Sequence, residues 1–96
     1  MSESDDRRIA LVTGATRGIG KAIAAELASS GCRVIGTATS DVGAATIREA
    51  LEPLGGTGIC LDVSDAEAVK AAITGITSDY GAPTILVNNA GITRDN

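Results

Sequence analysis

The stretch "LVTGATRGIGKAI", residues 11–23, decides how the rest of the chain is read. Apolar and β-prone residues run straight into three glycines, Gly14, Gly18 and Gly20. "IALVT" (9–13) is short, apolar and rich in Ile and Val, as a buried strand is. From Ile19 the period changes: Ile19, Ala22, Ile23 and Leu27 recur at helical spacing, and Gly31 suits the position just past a helix end. A glycine bend between a strand and a helix is the context of a dinucleotide fingerprint. Gly14 permits the sharp turn, Gly18 lets backbone approach a pyrophosphate, and Gly20 lets helix and strand pack closely. The first helical turn then offers free N–H groups and a partial positive charge to phosphates. The spacing here is G-x-x-x-G-x-G.

Outward from this bend the same alternation repeats. "RVIGTAT" (33–39) reads as a second strand, and Ser40 or Asp41 can cap a helix over about 42–52. In that helix Ala44, Ile47 and Leu51 face inward, and Pro53 with Gly55-Gly56 stops it. "GICLDV" (58–63) predicts a third strand. "SDAE" (64–67) matches a capping box, Ser64 as N-cap and Glu67 at N3. The third helix carries one stripe of Val69, Ala72, Ile73, Ile76 and Tyr80 and ends at Gly81 and Pro83. "TILVNNAG" (84–91) supplies a fourth strand and a polar, glycine-ended loop. The order β-α-β-α-β-α-β implies α/β architecture: a parallel sheet, right-handed crossovers and helices on both faces. The expected class is the N-terminal portion of a Rossmann-type doubly wound sheet, strand order 3-2-1-4, over residues 9–96. Residues 1–8 read as a solvated, disordered tail.

Three further places carry chemistry. An NAD site usually presents Asp or Glu to the ribose hydroxyls at the end of the second strand, about 20 residues past the glycines. Here that region reads "GTATS", with Ala38 between Thr37 and Thr39. No carboxylate opposes a 2′-phosphate there; Arg17 offers a guanidinium fork, and Thr39 and Ser40 offer hydroxyls. NADP(H) is therefore the expected cofactor, with Asp41 the one mild counter-indication. Asp62 and Val63, at the end of the third strand, lie where parallel sheets bind ligands. Asp62 can accept the adenine amino group while Val63 packs on the ring; alternatively, Asp62 only supports the Ser64 turn. In "NNAG" (88–91), Asn88 is assigned to structure, and Asn89, Ala90 and Gly91 to the cofactor's ribose region.

Composition excludes other classes. Ninety-six residues, 44% of them hydrophobic, make one domain at most. Tyr80 is the sole aromatic residue, so the core is aliphatic. A net charge of −4, no basic stripe and no stacking platform argue against nucleic acid. No apolar run reaches membrane-spanning length, and the polar N-terminus has no signal-peptide core; a cytoplasmic protein is expected. Without histidine or a CxxC, Cys32 and Cys60 fit no familiar zinc spacing and read as small buried hydrophobes. No metal site is expected.

"TGATRGIG" with "NNAG" resembles the short-chain dehydrogenase/reductase family. "VIGTATS" and "ILVNNAGITRDN" are most similar to its bacterial 3-oxoacyl-[acyl-carrier-protein] reductase subgroup, with acetoacetyl-CoA reductases as the nearest rival. The resemblance covers residues 9–96. It implies hydride transfer from NADPH to the β-keto group of a carrier-protein-bound acyl chain, in fatty-acid biosynthesis, by a homotetramer. It also implies cofactor contacts at Gly14, Ala15, Thr16, Arg17, Ile19, Thr39, Asp62, Val63 and Asn89.

Two departures stand beside the resemblance. Thr84 occupies a place where Asp is common in the family, which puts local loop support in question. The family catalyses with Ser, Tyr and Lys, the last two as Y-x-x-x-K, and a helper Asn. Tyr80 is followed by "GAPT", and the lysines are Lys21 and Lys70. No catalytic residue is therefore assigned, and Tyr80 is read as helix-end packing. The expectation is a piece of a longer chain, truncated before the catalytic half and inactive by itself. A non-catalytic nucleotide-binding module is the alternative from another class.

Overall fold

The computed structural model describes residues 7–16 and 18–89. Four strands alternate with three helices: β1 (Ile9–Val12), α1 (Gly18–Ser29), β2 (Arg33–Ala38), α2 (Asp41–Leu51), β3 (Thr57–Cys60), α3 (Ala66–Asp79) and β4 (Ile85–Val87). A 3₁₀ turn, Glu52–Leu54, follows α2, with Pro53 at its start and Gly55 closing it at φ 90°. All pairings are parallel and the order is β3-β2-β1-β4, as expected for the Rossmann-type class. Each β-α-β step carries the chain one way, 1 to 2 to 3; β4 then returns to the other side of β1.

β1 is buried along its whole length, which is why it reads as an unbroken apolar run. Ala10, Val12, Val34 and Ala38 face α1 and α2 and pack with Ala15, Ala24, Ile47 and Leu51. Ile9, Leu11 and Ile35 face the other way, onto Ile76 of α3. Glycines bring α2 against the sheet: a Cβ on Gly58 would lie 2.5 Å from the Ala44 carbonyl oxygen.

The helix ends follow local chemistry. Gly31, at φ 101°, ends α1, with its N–H on the Ala28 carbonyl and that of Cys32 on Leu27. These two bonds satisfy carbonyls the helix leaves open. Ser40, not Asp41, caps α2; its Oγ accepts the Gly43 N–H at 3.0 Å.

Several boundaries differ from the sequence expectation. The cap of α3 is Asp65, whose Oδ1 accepts from Glu67 and Ala68. Ser64 instead turns its hydroxyl towards Asp62, donating to Oδ1 at 2.6 Å. β3 stops at Cys60 rather than Val63, since the chain turns once Leu61 has bonded the Ala38 carbonyl. In α1 the inward stripe is Gly20, Ile23, Ala24 and Leu27, whereas Ile19 is 65% exposed and Ala22 is exposed too. Cys32 is buried as expected, but Cys60 is exposed at the end of an edge strand. Next to β1, the Arg8 carbonyl accepts the Arg33 N–H, and Arg7 donates to the Leu54 carbonyl at 3.0 Å. Thr84 extends the β1–β4 ladder by donating its N–H to the Ile9 carbonyl.

Candidate functional site

Parallel pairing puts the carboxyl ends of all four strands on one edge of the sheet. The segments after β1 (Thr13 to Gly18), β2 (Thr39-Ser40), β3 (Leu61 to Val63) and β4 (Asn88-Asn89) therefore share that edge. β1 and β4 are neighbours there although the whole β2–β3 half separates them in sequence. Such a reversal of strand order opens a crevice between two loops that leave in opposite directions, and it is where open α/β sheets bind ligands.

The loop after β1 is fixed from both sides. Thr13 donates its N–H to the Val87 carbonyl of β4, and Ala15 donates to the Thr37 carbonyl of β2, both at 3.0 Å. The Ala15 N–H is thus committed within the protein, and its methyl is buried over Gly36. Gly14 and Gly18 take φ of 64° and 66°, the left-handed region that glycine enters without steric cost. A Cβ on Gly18 would meet nothing within 4 Å, so its backbone faces open space. Gly20 is the opposite case. A Cβ there would lie 2.1 Å from the Gly14 carbonyl oxygen and 2.6 Å from Asn89 Nδ2. The start of α1 therefore rests directly on the bend, and its first-turn N–H groups have no carbonyl a turn earlier inside the helix.

Asn89 joins the two sides of the crevice. It is 8% exposed, and its Nδ2 donates to the Gly14 carbonyl at 3.1 Å. Asn88 is exposed, and its Oδ1 accepts from Thr13 Oγ1 at 3.2 Å. Both asparagines thus bind the loop after β4 to the loop after β1, the buried one from its side-chain amide. Thr13 is a participant that the sequence reading passed over; a hydroxyl at a strand's carboxyl end is the signal that could have found it.

The end of β2 carries no carboxylate until Asp41, in the first turn of α2. Thr39 is exposed. Ser40 uses its oxygen as an acceptor for the Gly43 N–H, which leaves its O–H free to donate. Thr16 is half-buried, its hydroxyl 3.2 Å from where a Gly43 Cβ would sit, so the glycine loop lies against the start of α2. Asp62 is exposed beyond β3; its Oδ1 accepts from both the N–H and the hydroxyl of Ser64. These bonds, the hydroxyl's foremost, hold its carboxyl below the ordinary aspartate range. Val63 is half-buried beside it in sequence.

The crevice edge therefore gathers Gly14, Ala15, Thr16, Gly18, Ile19, Gly20, Thr39, Asp62, Val63 and Asn89. Arg17, Ala90 and Gly91 lie outside the described residues. Among the described residues no cluster of His, Cys, Asp and Glu suits a metal ion, and no helix is long and apolar enough to cross a membrane.

Comparison with known proteins adds an independent finding. Residues 8–96 match the family model for short chain dehydrogenase. The chain is similar to the 3-oxoacyl-[acyl-carrier-protein] reductase FabG of Vibrio harveyi, 57% identical over 89 residues, which is 93% of this chain and 36% of that protein. The FabG proteins of Pseudomonas aeruginosa and Escherichia coli are 57% and 53% identical, over 37% and 36% of their lengths. The chain thus spans little more than a third of the curated relatives it matches.

Proposed function

The chain belongs to the short-chain dehydrogenase family, and from that premise we propose that it is the NADP(H)-binding portion of a 3-oxoacyl-[acyl-carrier-protein] reductase. The observation that carries the reading is the open left-handed bend at Gly18, set between β1 and α1 at the point where strand order reverses. Backbone and helix N-terminus there suit a diphosphate. When bound, the cofactor supplies a hydride for a 3-oxo group. The chain's own residues bind and orient it: Gly14, Thr16, Gly18 and Ile19 at the diphosphate, Arg17 and Thr39 at the 2′-phosphate, Asp62 and Val63 at the adenine, and Asn89 to Gly91 towards the ribose. Ala15 serves by holding the bend to β2.

The family's Y-x-x-x-K pair is not among these 96 residues. The chain accordingly binds cofactor and reduces nothing unaided. A carrier-protein-bound acyl substrate is supported by the identity to the FabG proteins; a homo-oligomeric enzyme and a cytoplasmic setting complete the proposal.

Titration of the chain with NADPH and NADH, followed by dihydronicotinamide fluorescence, tests it. NADPH is expected to bind more tightly. Arg17→Ala is expected to cost about tenfold in NADPH affinity while sparing NADH, the worth of a charge-assisted hydrogen bond. Equal affinity for the two cofactors in the unsubstituted chain overturns the NADP(H) assignment.

A further inference from the structure

The turn after β3 shows an asymmetry within one carboxylate. Asp62 Oδ1 accepts twice from Ser64, from its N–H at 3.0 Å and its hydroxyl at 2.6 Å. An oxygen of a carboxylate has about two lone-pair sites, so Oδ1 is full. Among the described residues no donor reaches Oδ2. The Asp62 carbonyl is also occupied, by the Asp65 N–H at 3.0 Å, so the turn is closed at both ends. Asp65, the other carboxylate of the turn, is spent on the start of α3.

We infer that Ser64 is a positioning residue: by filling Oδ1 it leaves Asp62 a single-oxygen acceptor, and so makes the site select 6-amino over 6-oxo purine nucleotides. The inference rests on the adenine contact proposed above for Asp62. A fixed, ionised oxygen accepts an exocyclic N–H and repels a carbonyl lone pair in the same place. Without the Ser64 hydroxyl only the main-chain N–H holds Oδ1, so the carboxylate rotates more readily, or holds a water between itself and a 6-oxo group, and the distinction weakens. The lowered Asp62 carboxyl fits the same picture, since the two bonds from Ser64 also favour its charged form.

The test compares NADPH with its hypoxanthine counterpart, in which a 6-oxo group replaces the 6-amino group, on the unsubstituted chain, Ser64→Ala, Ser64→Thr and Asp62→Asn, with circular dichroism confirming the fold of each. The unsubstituted chain is expected to prefer NADPH about tenfold, the lower range for a hydrogen bond to a charged group. Ser64→Ala should bring the preference below about threefold, Ser64→Thr should restore it, and Asp62→Asn should abolish it. A merely structural serine would weaken both nucleotides alike and leave their ratio unchanged. An unchanged ratio in Ser64→Ala, beside a lost one in Asp62→Asn, overturns the role of Ser64 alone. A ratio near one in the unsubstituted chain overturns the adenine contact and this inference with it. Binding of neither nucleotide overturns the proposed function as well.

Discussion

The two faces of the sheet are built to different tolerances. On the α1/α2 face, backbone meets backbone: Gly20 sits on the bend, and Gly36 and Gly58 admit Ile47 and the α2 main chain. The eleven residues of α2 bury four of their number, Gly43, Ala44, Ile47 and Leu51. The fourteen residues of α3 bury only Ile76. A cleft of about 310 Å³ separates α3 from β2 and β3, floored by Ile35 and Ile59, whereas the groove between α1 and α2 is about 130 Å³. Leu86, paired with Leu11 in register and so on the α3 face, is 65% exposed. The Arg33 guanidinium lies over the Tyr80 ring at 5.5 Å, one of the few contacts that pin the end of α3. The difference teaches where exactness is needed. The face with less slack is the one that sets the glycine bend and the start of α2, the two elements on which the candidate site depends.

Substitutions can break or sharpen this contrast. The largest effect on nucleotide binding is expected at Gly20→Ala. Its new Cβ would lie 2.1 Å from a main-chain oxygen that cannot swing aside. Overpacking of this kind typically costs about 1–3 kcal/mol and at times more, and about 3 kcal/mol is expected, read from the urea midpoint, with loss of NADPH binding. A midpoint within experimental error of the unsubstituted chain would show that the bend yields after all.

A pair of truncations comes next. Ile47 and Ile76 are both nearly inaccessible, at 3% and 5%. Ile47→Ala is expected near 4 kcal/mol, since a rigid wall cannot collapse into the hole, and Ile76→Ala near 2 kcal/mol, since α3 can settle. Equal losses in denaturant titrations would erase the contrast between the faces.

The smallest effect has the opposite sign. Gly75 lies mid-helix in α3, and a Cβ there would touch nothing within 4 Å. Gly75→Ala should therefore stabilise by about 0.5–1 kcal/mol through helix propensity alone. Thermal unfolding would register a rise of a few degrees, and a fall would mean that α3 is pressed against something at that position.

Much of this was legible in the residues. The alternation of periods gave the element order and the parallel sheet, because those are global consequences of a repeated pattern; strand order 3-2-1-4 came with the Rossmann-type class that the glycine bend pointed to. What escaped was decided by competition between near neighbours. "SDAE" has the form of a capping box, yet the serine hydroxyl is turned towards the Asp62 carboxylate and the cap falls to Asp65. Ile19 fits an apolar stripe, yet the helix meets the bend through Gly20, and a contact made by the absence of a side chain leaves no mark on hydrophobic periodicity. At the site, the glycines announced themselves through spacing. The Asn89–Gly14 bridge did not, because an amide's partner across the fold is set by tertiary approach.

That bridge has a consequence for how the protein comes into being. Its two ends are separated by 75 positions. During synthesis the chain emerges from its first residue onward, so the bend leaves the ribosome long before its partner amide exists. β1, α1 and β2 can assemble early from contacts close in sequence, while the pocket waits for β4 to dock. Nucleotide capture is thereby timed to the docking of β4 rather than to the appearance of the motif that names it.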